Sequence, residues 1–240
     1  HPVAHSFPTR RSSDLANGFI MVYPEAFFED NNGFVWADGR NGVADQAGIN
    51  DVGFVNELIN TISNEYNINA DKIYASGFSN GGFLVQHLAQ QTSTPFSAFA
   101  STAASLHLSY ANNSTEAKPM LYMYGTADPF LSYDNGGTTP GNYQFEDALD
   151  IESAVDYWVA NNNCNTTPTE TNLTDSNSTD NSTVTTFEYS GEDDGAIVKF
   201  YRINGGGHTW PGVDVRQAFF GSTNLDIDAS EEIWNFFNQF

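Results

Sequence analysis

The sequence predicts an α/β fold built on a doubly wound, mostly parallel sheet, and three observations carry that prediction. Apolar runs of strand length alternate along the chain with segments of helical periodicity. Several of those runs are apolar at consecutive positions, as strands covered by helices on both faces must be. No internal repeat interrupts the alternation, and 240 residues with 40% hydrophobic content suffice for one substantial core, so a single domain is expected.

Each element follows from its local pattern. Residues 18–24 (GFIMVYP) form an apolar run closed by proline and predict a central strand. Val52, Val55, Leu58, Ile59 and Ile62 recur at helical spacing behind Asn50 or Asp51 as N-cap, predicting a helix to about Tyr66. Residues 71–75 (DKIYA) read as the next strand. They lead through Gly77-Phe78-Ser79-Asn80-Gly81-Gly82 into a buried helix marked by Phe83, Leu84, His87 and Leu88. Residues 96–104 and 119–124 (PMLYMY) predict two more buried strands. Residues 145–160 return to helical spacing through Ala148, Ile151, Val155 and Trp158. Residues 161–183 are almost entirely Asn, Thr, Ser, Asp and Pro, the composition of a surface loop. That composition also accounts for its Asn-x-Thr triplets, such as Asn165-Thr166-Thr167, without invoking glycosylation. Residues 185–189 and 197–203 alternate as strands around Glu192-Asp193-Asp194-Gly195, predicting a hairpin, with no calcium expected at the turn. Residues 227–240 close the chain as a helix with Asp228 as N-cap.

Composition excludes whole classes of function. Thirty acidic residues against eight basic ones give a formal charge of -22. Nucleic acid and anionic membrane surfaces both require a concentrated positive field, and neither is expected as a partner. One cysteine, Cys164, leaves no disulfide framework or cysteine zinc cluster within the chain. No run reaches the ~18 apolar residues of a membrane helix, and no signal-peptide pattern opens the chain. Residues 5–15 (HSFPTRRSSDL) instead match the translation of a common sequencing-library adapter. Arg10 and Arg11 are therefore not read as a basic site, and residues 1–15 are expected to be non-native, with native sequence beginning near Ala16.

The chemistry gathers at three predicted strand ends. Ser79 is central in Gly77-x-Ser79-x-Gly81, between a strand and a helix, where a tight turn presents a serine hydroxyl at the helix N-terminus. A serine hydroxyl needs a base, and imidazole accepts a proton near neutral pH. Among the five histidines, His1 and His5 fall in the suspect start, His87 lies on the buried helix pointing away, and His107 lacks punctuating glycines. His208 follows a strand through Asn204-Gly205-Gly206-Gly207, at the edge where open α/β sheets place ligands. Asp128, in Gly125-Thr126-Ala127-Asp128-Pro129, follows the PMLYMY strand and is the carboxylate expected to orient that imidazole. Asp134, Asp147 and Asp150 fall in loop or helix instead. Serine, aspartate, histidine is the chain order of α/β-hydrolases, so the three side chains are expected to converge at the C-terminal edge of the sheet.

The segment NDVGFVNELINTISNEYNINADKIYASGFSNGG, the GTADP turn and GGGHTWPG together resemble the bacterial polyhydroxybutyrate depolymerase and feruloyl esterase-like family, over nearly everything after Ala16. The resemblance implies extracellular or periplasmic ester hydrolysis in a bacterium, with Ser79, Asp128 and His208 as triad and the backbone N–H of Asn80 as oxyanion donor. It implies no metal or organic cofactor. Trp36, Asp38 and Arg40 in FVWADGR, and Trp210 beside the base, resemble positions near that family's substrate cleft, with Trp36 and Trp210 as substrate-binding candidates. The family has earlier strands and a His-Gly loop supplying a second oxyanion donor, which do not appear here. Residues 16–240 are accordingly expected to be a hydrolase domain incomplete at its N-terminus, poorly soluble and nearly inactive as written. The expected substrate is a polyester of the polyhydroxyalkanoate type. Feruloyl or acetylxylan esterase activity on plant or algal polysaccharide uses the same machinery, and a non-catalytic binding module on the same fold is the reading from another class.

Overall fold

A computed structural model of the chain describes residues 18–240 apart from 31–32, 93, 112, 114–115, 136–147, 192–194 and 215–217. Residues 1–15, the acidic turn at 192–194 and Asp147 therefore lie outside the described residues.

A six-stranded sheet forms the frame, with strands β3 (Tyr74–Phe78), β4 (Ala98–Thr102), β5 (Met120–Gly125), β6 (Thr169–Asn172), β7 (Thr183–Tyr189) and β8 (Val198–Asn204). Its order is β3-β4-β5-β8-β7-β6. The first four run parallel, pairing Tyr74 with Ala98, Phe99 with Met120 and Met120 with Val198. The last three pair antiparallel. Every residue of β4 and β5 is buried, which is why their sequences are apolar or small throughout. Outside the sheet, β1 (Phe28–Asp30) and β2 (Gly33–Val35) make a small antiparallel pair.

Alternation along the strands divides the core in two. Phe99, Met120, Tyr122, Val198 and Phe200 face one side, against α2 (Asp51–Glu65), α3 (Asn80–Ala89) and α4 (Ile151–Asn161), while α1 (Val43–Gln46) is a single turn before them. Ala98, Ala100, Leu121, Met123, Tyr201 and Ile203 face the other, under Ile233, Phe236 and Phe237 of α5 (Ala229–Phe237). Helices thus cover both faces, as a doubly wound sheet demands. Each long helix begins where its cap dictates. Asn50 accepts from Gly53 N–H, Asp150 from Ser153 N–H, and Asp228 from the N–H groups of Ser230 and Glu231.

Several sequence expectations need correction. Residues 18–24 are not a strand; Ile20, Met21 and Val22 are exposed and irregular. Among the described residues no strand pairs with the outer side of β3, so this run has no ladder to join, and apolar composition alone does not supply one. The strand placed at 71–75 begins three residues later, after Asn69 and Asp71 close a turn through Asp71 N–H to Asn69 Oδ1. The helix placed at 145–160 starts at Ile151, because Asp150 caps it there, and residues 145–147 lie outside the described residues. Residues 161–183 are not all loop, since Thr169–Asn172 pairs with β7 as a fully exposed edge strand. Threonine tolerates an edge ladder without any buried face, so periodicity gave no signal.

Candidate active site

Ser79 sits at the junction of β3 and α3 with φ 54° and ψ -123°, a backbone conformation that L-residues rarely occupy. Two backbone bonds hold it there, and a third braces the neighbouring strand end. Ser79 N–H donates to Thr102 O at 2.9 Å, Phe83 N–H donates to Ser79 O at 3.1 Å, and Ala103 N–H ties the neighbouring strand end to Met123 O. At Gly77 a Cβ would fall well inside contact distance of the Gly81 carbonyl, so the turn closes only with glycine before the serine. Asn80, Gly81 and Gly82, as the first residues of α3, have N–H groups without intrahelical acceptors, and the positive end of the helix lies beside Ser79 Oγ.

His208 Nε2 lies 2.9 Å from Ser79 Oγ, and His208 Nδ1 lies 2.7 Å from Asp128 Oδ2. The side chain of Asp128 is fully buried and that of His208 is 7% exposed. An ionised carboxylate only accepts, so the imidazole proton belongs on Nδ1, leaving the Nε2 lone pair to face the serine hydroxyl. The other oxygen of Asp128, Oδ1, accepts from the N–H groups of Phe130 and Leu131, which fixes the carboxylate plane. The two loops are zipped together, as Ala127 N–H donates to Gly206 O and Gly205 N–H to Thr126 Oγ1, and His208 N–H is tied to a third segment at Phe220 O, 2.7 Å away. Residues 79, 128 and 208 are therefore together at the C-terminal edge of the parallel strands. His87 and His107 are elsewhere, each beside Tyr110. Asp134 and Asp150 take no part; Asp150 is spent as the α4 cap.

The segment around Trp36 does something the sequence did not announce. Asn80 reaches back to it as a strand residue would, accepting Trp36 N–H at 2.7 Å and donating to Trp36 O at 3.2 Å. Its Nδ2 also donates to Asp38, which is 3% exposed and bonded to the guanidinium of Arg40. Arg40 lies over the Phe83 ring one turn into α3, 3.6 Å from its centroid. Ala37 N–H donates to Asp51 at 2.7 Å and Gly39 N–H to Asp45 at 3.0 Å. Burial, with the charges of Asp45 and Asp38, raises the Asp51 carboxyl above its ordinary range against the opposing Ala37 bond. Asp38 and Arg40 are thus engaged in holding Asn80, an arrangement that no motif or period in the sequence marks. The Trp36 ring stacks on Phe54 at 6.3 Å, beside Gly81. Trp210 packs against the α5 core and donates to Ser230 Oγ, with Phe78 in edge contact with it and 4.9 Å from the His208 ring.

A second aromatic group, which no motif in the sequence marks, flanks the base. Phe130 lies 5.2 Å from the His208 ring, and Phe219 and Phe220 pack on Phe130 in turn. Among the described residues no cluster of three or more His, Cys, Asp or Glu side chains forms a metal site, and no helix is long and apolar enough to cross a membrane.

One family model and two relatives match the chain. The prolyl oligopeptidase family matches residues 6–144, a stretch that contains Ser79 and Asp128 and stops before His208. A bifunctional acetylxylan esterase/xylanase, XynS20E of Neocallimastix patriciarum, is 26% identical over 226 residues, covering 93% of this chain and 27% of that protein. NocK of Nocardia uniformis subsp. tsuyamanensis, provisionally named an esterase, is 26% identical over 199 residues, covering 78% of this chain and 56% of that protein. The chain thus spans little more than a quarter of one of these relatives and just over half of the other.

Proposed function

Because the chain belongs to the prolyl oligopeptidase family of α/β-hydrolases, we propose that it hydrolyses carboxylic esters through an acyl-Ser79 intermediate. The observation that carries this reading is the unbroken hydrogen-bonded chain from Asp128 through His208 to Ser79 Oγ. As Oγ attacks the ester carbonyl carbon, His208 Nε2 takes its proton and Asp128 stabilises the resulting imidazolium. Negative charge moves onto the carbonyl oxygen, where the Asn80 N–H at the head of α3 is the proposed donor. The tetrahedral intermediate collapses, the bond to the alcohol oxygen breaks, and His208 returns its proton to that oxygen. Water, deprotonated by the same base, then attacks the acyl carbon and releases the acid with Ser79 restored.

Both named relatives carry esterase designations, which favours an ester over a peptide bond despite the family's name. The motif resemblance puts a hydroxyalkanoate polyester first among substrates. The relative named as an acetylxylan esterase supports a second reading, an acylated polysaccharide. Either polymer lies outside the cell, so secretion or export to a bacterial periplasm belongs to the proposal, as does a hydrolase domain running over residues 16–240.

The test is direct. In the whole protein, Ser79→Ala should lower kcat on p-nitrophenyl acetate by at least about 10³-fold, and Asp128→Asn should lower it by on the order of 10²–10⁴-fold with KM little changed. Undiminished turnover by Ser79→Ala removes the nucleophile, and faster cleavage of a peptide p-nitroanilide than of esters makes the protein a peptidase. A panel of polyhydroxybutyrate, acetylated xylan and methyl ferulate then separates the polymer classes.

A further inference from the structure

Phe219 is 65% exposed, an unusual position for a ring held by so many partners. It belongs to a single 3-10 turn, Ala218–Phe220, and packs edge-on against Phe130 at 4.8 Å and against Phe220 at 4.7 Å. Phe130 and Phe220 are 5.5 Å apart, so the three rings form one cluster. It is registered to the reacting groups through the backbone on two sides. Phe220 O accepts His208 N–H at 2.7 Å, and Phe130 N–H donates to Asp128 Oδ1 at 2.8 Å. The Phe130 ring itself lies 5.2 Å from the His208 ring. An exposed apolar ring fixed in this way, one ring removed from the base, has a role that core packing does not supply, because most of its surface faces solvent.

We infer that Phe219 and Phe130 form a subsite for an apolar alcohol moiety of the ester substrate, an alkyl or aryl group on the leaving-group side of the scissile bond. The inference rests on the ester-hydrolase reading and adds a substrate class to it. The side follows from the proton path. His208 Nε2 delivers its proton to the alcohol oxygen, so the alcohol must sit against the base, whereas the acyl oxygen is directed to the Asn80 N–H across the serine. Rings attached to the His208 and Asp128 loops therefore meet the alcohol first. Rigid aromatic faces bind alkyl chains and rings at little cost in side-chain entropy, and a polar, hydrated alcohol gains less from them. A hydroxyalkanoate chain presents such an alkyl-bearing alcohol at every ester bond.

The experiment compares acetates of ethanol, hexanol and benzyl alcohol with ethyl esters of acetic and hexanoic acid, using the wild-type protein, Phe219→Leu and Phe219→Ala. The expected result is a kcat/KM for hexyl and benzyl acetate about tenfold above ethyl acetate. That ratio should fall at least threefold in Phe219→Ala and less in Phe219→Leu, while the ratio of ethyl hexanoate to ethyl acetate stays put. An alcohol preference that survives Phe219→Ala, or one that appears along the acyl series instead, overturns the subsite. Binding of benzyl alcohol to Ser79→Ala, followed by NMR titration, gives a readout free of turnover. Weaker binding on adding Phe219→Ala supports the subsite even where the ester reading fails, and equal binding removes it.

Discussion

Asn80 connects the nucleophile to the segment around Trp36, and its side chain carries more structure than its place in the motif suggests. Three hydrogen bonds tie its amide to Trp36 and Asp38, and the peptide N–H proposed for the oxyanion belongs to the same residue. A displacement of this N–H by a fraction of an ångström weakens it where charge develops, and misplacement near 1 Å costs up to about 10²-fold. Asn80→Ala should therefore lower kcat about tenfold with KM within about twofold, as esterase kinetics would read. A change in KM alone would mean that the amide contacts substrate instead. Replacing Asp38 is the poorer experiment, because it breaks the ion pair with Arg40, whose side chain is 8% exposed, and breaking a buried pair costs about 3–5 kcal/mol.

At the scale of elements, the packing of α3 on the sheet decides which glycines matter. A Cβ on Gly82 would stand 2.7 Å from Ala104 Cβ and 3.0 Å from Ser101 Oγ, whereas one on Gly81 would meet nothing nearer than Trp36 Nε1 at 3.9 Å. Gly82→Ala should destabilise the fold by about 1–3 kcal/mol. Gly81→Ala, though it breaks the G-x-S-x-G pattern, should be neutral or stabilising by up to about 1 kcal/mol, because a helical glycine is replaced. Equal losses in urea denaturation would contradict this account. Further along the same helix, His87 stacks on Tyr110 at 5.7 Å with its Nδ1 lacking a hydrogen-bond partner among the described residues. Burial pushes its imidazole below the ordinary 6.5, against the pull of Asp45 and Asp38 and with a small push from His107. Burial also raises the Tyr110 phenol to about 12, helped by Asp45 and Asp38. A depressed histidine stabilises the fold above its unfolded value and loses that contribution as pH falls through the folded one. Its contribution should accordingly be lost between pH 7 and pH 5, against the opposite contribution of the raised Asp51 carboxyl, so the melting temperature of His87→Phe should fall less, or rise more, than that of the wild type over the same range. Parallel curves would remove His87 from the acid response.

The whole molecule carries a charge of -22, and its few cations are drawn into pairs such as Lys199 with Glu188 and Arg202 with Glu152. Self-repulsion at this density opposes the compact state, and screening shortens its reach from about 10 Å at 0.1 M salt to about 3 Å at 1 M. Raising sodium chloride from 0.1 to 1 M should raise the melting temperature by several degrees. A flat or falling curve would show that the surface carboxylates are already compensated.

The sequence by itself determined the layered α/β architecture, the buried central strands and the three residues that come together at their ends. Those features are local: apolar runs, cap residues and strand-terminal loops each act within a few positions of the chain, and the sheet then sets Ser79, Asp128 and His208 side by side. What only the tertiary structure decided depends on groups far apart in sequence. Residues 18–24 had the composition of a strand but no partner ladder, and residues 169–172 had a ladder without the composition. The clip from Asp38 to Asn80 spans 42 positions, and the rings of Phe130 and Phe219 meet across 89. A hydrogen bond or an aromatic contact of that kind leaves no period in the chain, because its geometry exists only once the sheet has brought the two segments together.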